Sequence, residues 1–258
     1  MLILELLWWV GWIWFAAWVA LPLAAVPFTG LYVGAIIWVA LAPWTGLLGM
    51  AGVQRLLPRS PAGTFRMPGD AGSVRWALQG WAPSLYLTLF QPLCFTSRFF
   101  QHFALRAFGA RLGRGAWLTS RTIVREPHHV RVGARSLIGE YAHLICSYQP
   151  RPGVLIVAPV TIGDDSLVGG YCHVAPGATI GSRCVLEHAV AVGARTTIGD
   201  DSRIGAGTTI YNAVRIGRQV LIGKNCLIPV GAVIPDDTRI PDGTIVTRDV
   251  RRALAAVS

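Results

Sequence analysis

From Ile162 to Ile240 an aliphatic residue stands at every sixth position, beginning Ile162, Val168, Val174, Ile180, Leu186, Val192 and Ile198. A period of six fits neither an amphipathic helix nor an ordinary alternating strand, so it predicts a solenoid of short strands. The residue after each aliphatic is usually Gly, as at Gly163, Gly181, Gly199 and Gly217, which suits a tight corner. Four places after each aliphatic comes a second small residue, such as Ser166, Ala178, Cys184 or Thr196, and both positions of the unit should face inward. A strand of about six residues cannot bury its apolar face alone, so three should form a triangular coil of about 18 residues. Such coils stack at about 4.8 Å.

The register extends backwards through Leu144, and Leu112, Leu118, Val124 and Val130 repeat at six until a two-residue slip brings in Val132 and Ile138. The solenoid is therefore expected to begin near Leu112. Between Leu144 and Ile162 the pattern fails, and Cys146 to Gly153 reads as an exposed loop of the kind that often carries function.

The pattern before the solenoid is different. From Met1 to Gln54 the only charge is Glu5, and this stretch holds seven of the ten Trp. Two apolar spans of about 20 residues fit, Leu2 to Ala24 and Leu31 to Val53, with Pro22, Pro27 and Gly30 between them, predicting a transmembrane hairpin. Trp76 to Ser97 is uncharged but interrupted by Gln79, Pro83 and Pro92, and reads as a re-entrant or interfacial segment in preference to a third crossing, which would invert the topology. Ser97 to Gly113 alternates Phe with Arg and predicts an amphipathic helix lying on the membrane. Three domains follow: a hairpin over 1–54, a basic linker over 55–111 and the repeat domain over 112–258. The fold class is mainly β behind an α-helical hairpin.

Charge sharpens this picture. The chain is formally +10, with Lys224 its single Lys. Arg55, Arg59, Arg66 and Arg75 follow the second span, which by the positive-inside tendency places the repeat domain on the cytoplasmic side of the inner membrane. Membrane lipid and a phosphate-bearing substrate are the natural partners. The Arg residues are scattered without interleaved aromatics, which argues against nucleic acid. Cys172, Cys184 and Cys226 fall in the small inward slot and no C-x-x-C pair exists, so reduced buried thiols are expected rather than a disulfide framework.

Chemistry must come from a few residues. His143 and His173 each precede an inward aliphatic and should project outward, while His188 follows Glu187 at a corner. His128 and His129 sit at the slip as turn residues that could touch substrate, and His102 lies in the amphipathic helix. A zinc site would need three His from neighbouring coils, but His143 and His173 are 30 apart and His173 and His188 are 15 apart, so the spacing sets them out of line and no metal is expected. Acyl transfer from a thioester to a hydroxyl asks only for one general base and an oxyanion donor, which a histidine and a Gly-rich corner can supply.

From about Phe99 the chain resembles the hexapeptide-repeat acyltransferases, especially the colanic-acid-type acetyltransferases of polysaccharide biosynthesis. Ala104-Leu105-Arg106-Ala107-Phe108-Gly109 looks like their entry motif and Ala158-Pro159-Val160-Thr161-Ile162-Gly163 like their return to the coil. With its apolar front the chain also resembles the membrane-embedded terminal region of poly-lysine-synthase-type proteins. The resemblance implies a left-handed parallel β-helix, a homotrimer with sites between subunits, and acetyl-CoA as donor along the C-terminal coils. By position it implies that Gly205, Ala206 and Lys224 line the coenzyme A groove. Where these relatives carry a catalytic His in the loop, this chain has Ser147, Tyr148 or Gln149. The expected catalytic set is therefore His143, His173 and Tyr148. Two functions follow from the sequence: a membrane-anchored O-acyltransferase acting on a sugar or lipid-linked glycan precursor, or a non-catalytic β-helix scaffold docking a membrane-bound synthase.

Overall fold

The six-residue pattern becomes a triangular parallel β-helix whose strands are only two or three residues long. The computed structural model describes residues 31–90, 97–119 and 121–246, with single positions at 17, 20 and 93. Three parallel sheets of seven, seven and six strands form the faces of this left-handed solenoid. Through the regular coils each residue pairs with the one 18 positions on, as Ile162 with Ile180 and Ile180 with Ile198. The aliphatics form the expected column, with Ile162, Ile180, Ile198, Ile216 and Ile234 all buried.

Corner chemistry explains why the coils turn so sharply. Asp165 and Asp201 sit at φ 54° and 61°, left-handed values that Asp tolerates better than most residues. A Cβ at Gly199 would stand 2.5 Å from the Gly217 carbonyl oxygen, so glycine there is forced by the next coil. Hydroxyls in the second inward slot are fully used. Ser166 Oγ donates to the Gly181 carbonyl at 2.9 Å and accepts from the Cys184 N–H at 3.0 Å, stitching adjacent coils.

Two irregularities reset the register. The two-residue slip is present: Leu112 pairs with Val132 and Leu118 with Ile138, because a 3₁₀ turn at Pro127–His129 absorbs the extra residues. The second is larger. Val130 pairs with Val160, Leu137 with Leu167 and His143 with His173, all 30 apart. The additional twelve residues leave the coil as a β-hairpin, Ser147–Arg151 against Val154–Val157. The expected exposed loop is thus largely strand, and Leu155 and Val157 are buried. Its return strand also pairs antiparallel with Gly63–Arg66, so part of the linker completes a three-stranded sheet.

Ahead of the solenoid lie helices α1 (Leu31–Leu56), α2 (Ala71–Leu89) and α3 (Arg98–Ala107). They pack through Leu47, Met50, Ala82, Tyr86, Phe100 and Phe108. Gln54 and Gln79 donate to each other's backbone carbonyls at 3.1 and 3.0 Å, satisfying two buried amides. Ser97 caps α3 by accepting from the Phe100 N–H. The amphipathic helix expected over 97–113 therefore spends half its apolar face on protein: Phe100 and Phe108 are buried, while Phe99 stays 73% exposed. Leu105 joins the solenoid core and Leu87 touches both cores, which ties the helices to the first coils.

The first expected membrane span, Leu2 to Ala24, falls almost entirely outside the described residues. The second coincides with α1. Among the described residues no helix is long and apolar enough to cross a membrane.

Candidate functional site

The hairpin excursion decides where the histidines fall. Counting 18 residues per coil sets His143 and His173 out of line; the twelve-residue detour restores their phase and makes them direct neighbours on adjacent strands, His143–Leu144 and His173–Val174. Their ring centroids are 4.6 Å apart. The expectation that these two do not stack is corrected. His188 does stand apart, at the next corner, with its ring 5.1 Å from Tyr171. Even with two histidines aligned, no group of three or more His, Cys, Asp or Glu among the described residues could hold a metal ion.

His143 lines a cavity of about 460 Å³ between α2, α3 and the first coils. Its pKa is lowered, first by burial and then by the neighbouring His173 imidazole, since two cations so close repel. The result is an imidazole kept neutral at neutral pH, able to accept a proton. Ser147 lines the same cavity, and its hydroxyl donates to Glu126 Oε1. Glu126 also accepts from Trp76 Nε1 at 3.3 Å, so one buried carboxylate holds the base of the hairpin against α2. Cys146, beside it, is buried, and that burial with the Glu126 charge pushes its thiol up to about 12. It is therefore inert as a nucleophile.

Tyr148, the third expected catalytic residue, is not among the residues that line this cavity. It is half-buried on the hairpin opposite Ile156, and among the described residues it makes no side-chain hydrogen bond or ring contact with either histidine. His128 and His129 lie against each other at the 3₁₀ turn, with rings 4.4 Å apart. Burial and His129 hold His128 at about 4, and His129 Nε2 reaches Ser60 Oγ at 3.4 Å. Both help close the solenoid's first coils.

A second cavity, of about 330 Å³, lies on another face toward the C-terminal coils and is lined by Arg203, Lys224, Arg239 and Gly205. Two of the three residues expected to hold coenzyme A are therefore here. Ala206 turns its N–H to Glu187 Oε2 at 3.1 Å instead. Arg203, Lys224 and Arg239 share the cavity with Glu187 and Asp242, which leaves an excess of positive charge that suits a phosphate group.

One feature at the corner beside His143 and His173 is not among the residues expected from sequence. Tyr141 and Tyr171 stack at 4.9 Å, both at positive φ, and the Arg121 guanidinium bonds the Tyr141 hydroxyl. The signal was available, because Tyr141 and Tyr171 are also 30 apart, the same interval as His143 and His173.

Comparison with known proteins agrees with this architecture. The model of the bacterial transferase hexapeptide (six repeats) matches residues 159–194 and 195–229, and that of the hexapeptide repeat of succinyl-transferase matches 213–248. Residues 159–248 thus carry repeats that match the bacterial transferase hexapeptide models. No curated protein matches the chain. Several solved structures are similar to part of the chain. GDP-perosamine N-acetyltransferase from Caulobacter crescentus is 20% identical over 58% of this chain and 60% of its own, with a TM-score of 0.34. AntD, an N-acyltransferase from Bacillus cereus, is 16% identical over 52% of this chain and 80% of its own, at 0.44. The acetyltransferase domain of PglB from Neisseria gonorrhoeae is 18% identical over 54% and 62%, at 0.38. The chain thus spans less than two thirds of the length of the first of these.

Proposed function

We propose that the chain is a membrane-anchored O-acyltransferase that moves an acyl group, acetyl in the simplest case, from coenzyme A to a hydroxyl of a sugar or lipid-linked glycan precursor. The observation that carries this reading is His143: a neutral imidazole in a cavity wall, register-paired with a second imidazole. A ring nitrogen of His143 takes the acceptor hydroxyl's proton as the oxygen attacks the thioester carbonyl carbon. The tetrahedral oxyanion collapses, the carbon–sulfur bond breaks, and the departing thiolate takes the proton back from the imidazolium. His173 assists by keeping that proton weakly held.

The cationic cavity supports the donor assignment. Arg203, Lys224 and Arg239 would hold the phosphates of coenzyme A. Arg203 and Arg239 lie two and four coils beyond His173, about 10 to 19 Å along the axis at strand spacing. The thioester arm would cover that axial rise while crossing the corner between the two faces. Similar solved structures were determined with coenzyme A and GDP-perosamine, in one case, and with dTDP and 3-hydroxybutyryl-CoA in another. The apolar front, the exposed Leu48 and Phe99, and the arginines after α1 support anchoring at the inner membrane with the solenoid cytoplasmic. A homotrimer would bring a second subunit's surface to the histidine face.

The test is thiol release from acetyl-CoA by the purified chain with alkyl glucosides as acceptors, alongside calorimetric titration of coenzyme A. Turnover above a His143→Ala, His173→Ala double variant, with binding weakened by Lys224→Ala, is expected. The scaffold alternative was motivated by the lack of a loop histidine. It predicts neither turnover nor saturable coenzyme A binding.

A further inference from the structure

We propose that the cavity beside His143 takes an amphiphilic acceptor, with a hydroxyl-bearing head at the histidine and a single aliphatic tail along the helices. This rests on the acyl-transfer reading above and narrows its substrate class.

The polar end is specified by Gln101. It lines the cavity, is only 4% exposed, and donates through Nε2 to the Thr119 carbonyl at 3.3 Å, yet its Oε1 accepts no hydrogen bond among the described residues. A buried acceptor without a donor is costly, so a hydroxyl donor in the cavity is the natural complement. With His143 it makes two polar groups that fix a polyol head. The apolar end is specified by Leu87, Leu105 and Ile123, which line the same cavity. A volume of about 460 Å³ suits a head and the first few methylenes, not a whole lipid.

What lies outside the cavity argues for a tail. Ile123, which lines the cavity, is itself 38% exposed, so a chain leaving past it meets an apolar side chain rather than water.

The experiment compares n-octyl and methyl β-D-glucopyranoside, which offer the same hydroxyls, as acceptors for acetyl-CoA with the full chain held in amphipol. Thr88→Trp, at the exposed cavity rim on α2, blocks the site without entering the core; Ser84→Trp, one turn earlier, is a second blocking variant. We expect at least about tenfold higher kcat/KM for the octyl acceptor. That preference should vanish in Thr88→Trp while coenzyme A binding is unchanged. If no turnover occurs but octyl glucoside binds saturably to the wild type and not to Thr88→Trp, the cavity assignment stands and acyl transfer falls. Equal use of both acceptors overturns the assignment and leaves acyl transfer intact. A preference that follows donor length, octanoyl- over acetyl-CoA with both acceptors equal, gives the cavity to the donor and also overturns it. Neither turnover nor binding overturns both.

Discussion

At the scale of single residues, the histidines behave differently because their surroundings differ. His128 is held at about 4 by burial and by His129, against an ordinary value near 6.5. A histidine with a lowered folded pKa stabilises the fold while neutral. As pH falls below about 6.5 the unfolded chain binds the proton first, so that contribution declines until the folded group itself titrates near 4. Urea denaturation should therefore show stability falling between pH 6.5 and 4, with a shallower fall in His128→Phe. His143 is lowered in the same direction, so the acidic limb of kcat/KM should lie below pH 6.5. Replacing His173 by Asn removes the neighbouring charge and should move that limb upward. Cys146, raised to about 12, should resist a thiol-specific disulfide reagent in the native chain and react only after unfolding.

At the scale of elements, the coil and the hairpin show what a period can and cannot reveal. The column from Ile162 to Ile240 was legible because every strand buries the same slot against the coil above. The slip at Pro127–His129 was legible too, since two residues merely shift the phase. The hairpin was legible only as a break in the pattern; its length was hidden, because Leu144 and Ile162 are 18 apart and keep the phase of a single coil. In space they lie on different faces: Leu144 pairs with Val174, and Ile162 with Val132. A detour of twelve residues is two repeat units and hides inside the six-residue ruler. That is why the candidate base pair was invisible although both histidines were singled out. Corners are equally strict. Gly199→Ala sets a methyl against the Gly217 carbonyl and should cost roughly 1–3 kcal/mol. Amide exchange should quicken in the coils around Ile198 and Ile216, while helices α1 to α3 remain as protected as in the wild type.

At the scale of the whole molecule, two surfaces are brought together by the parallel stack. One is the helical layer with its exposed Leu48 and Phe99, tied to the first coils through Leu87 and Leu105. The other is the cationic cavity of the last coils, with Arg203, Lys224 and Arg239. The histidine pair lies between them along the solenoid axis. On the acyl-transfer proposal, His143 is the proton acceptor. Its most direct test is the initial rate of thiol release from acetyl-CoA by His143→Gln, which keeps the side chain polar, beside a calorimetric coenzyme A titration of the same protein. A rate reduced by about 10²-fold or more, with coenzyme A affinity unchanged, is expected. A rate within about twofold of the wild type would contradict it.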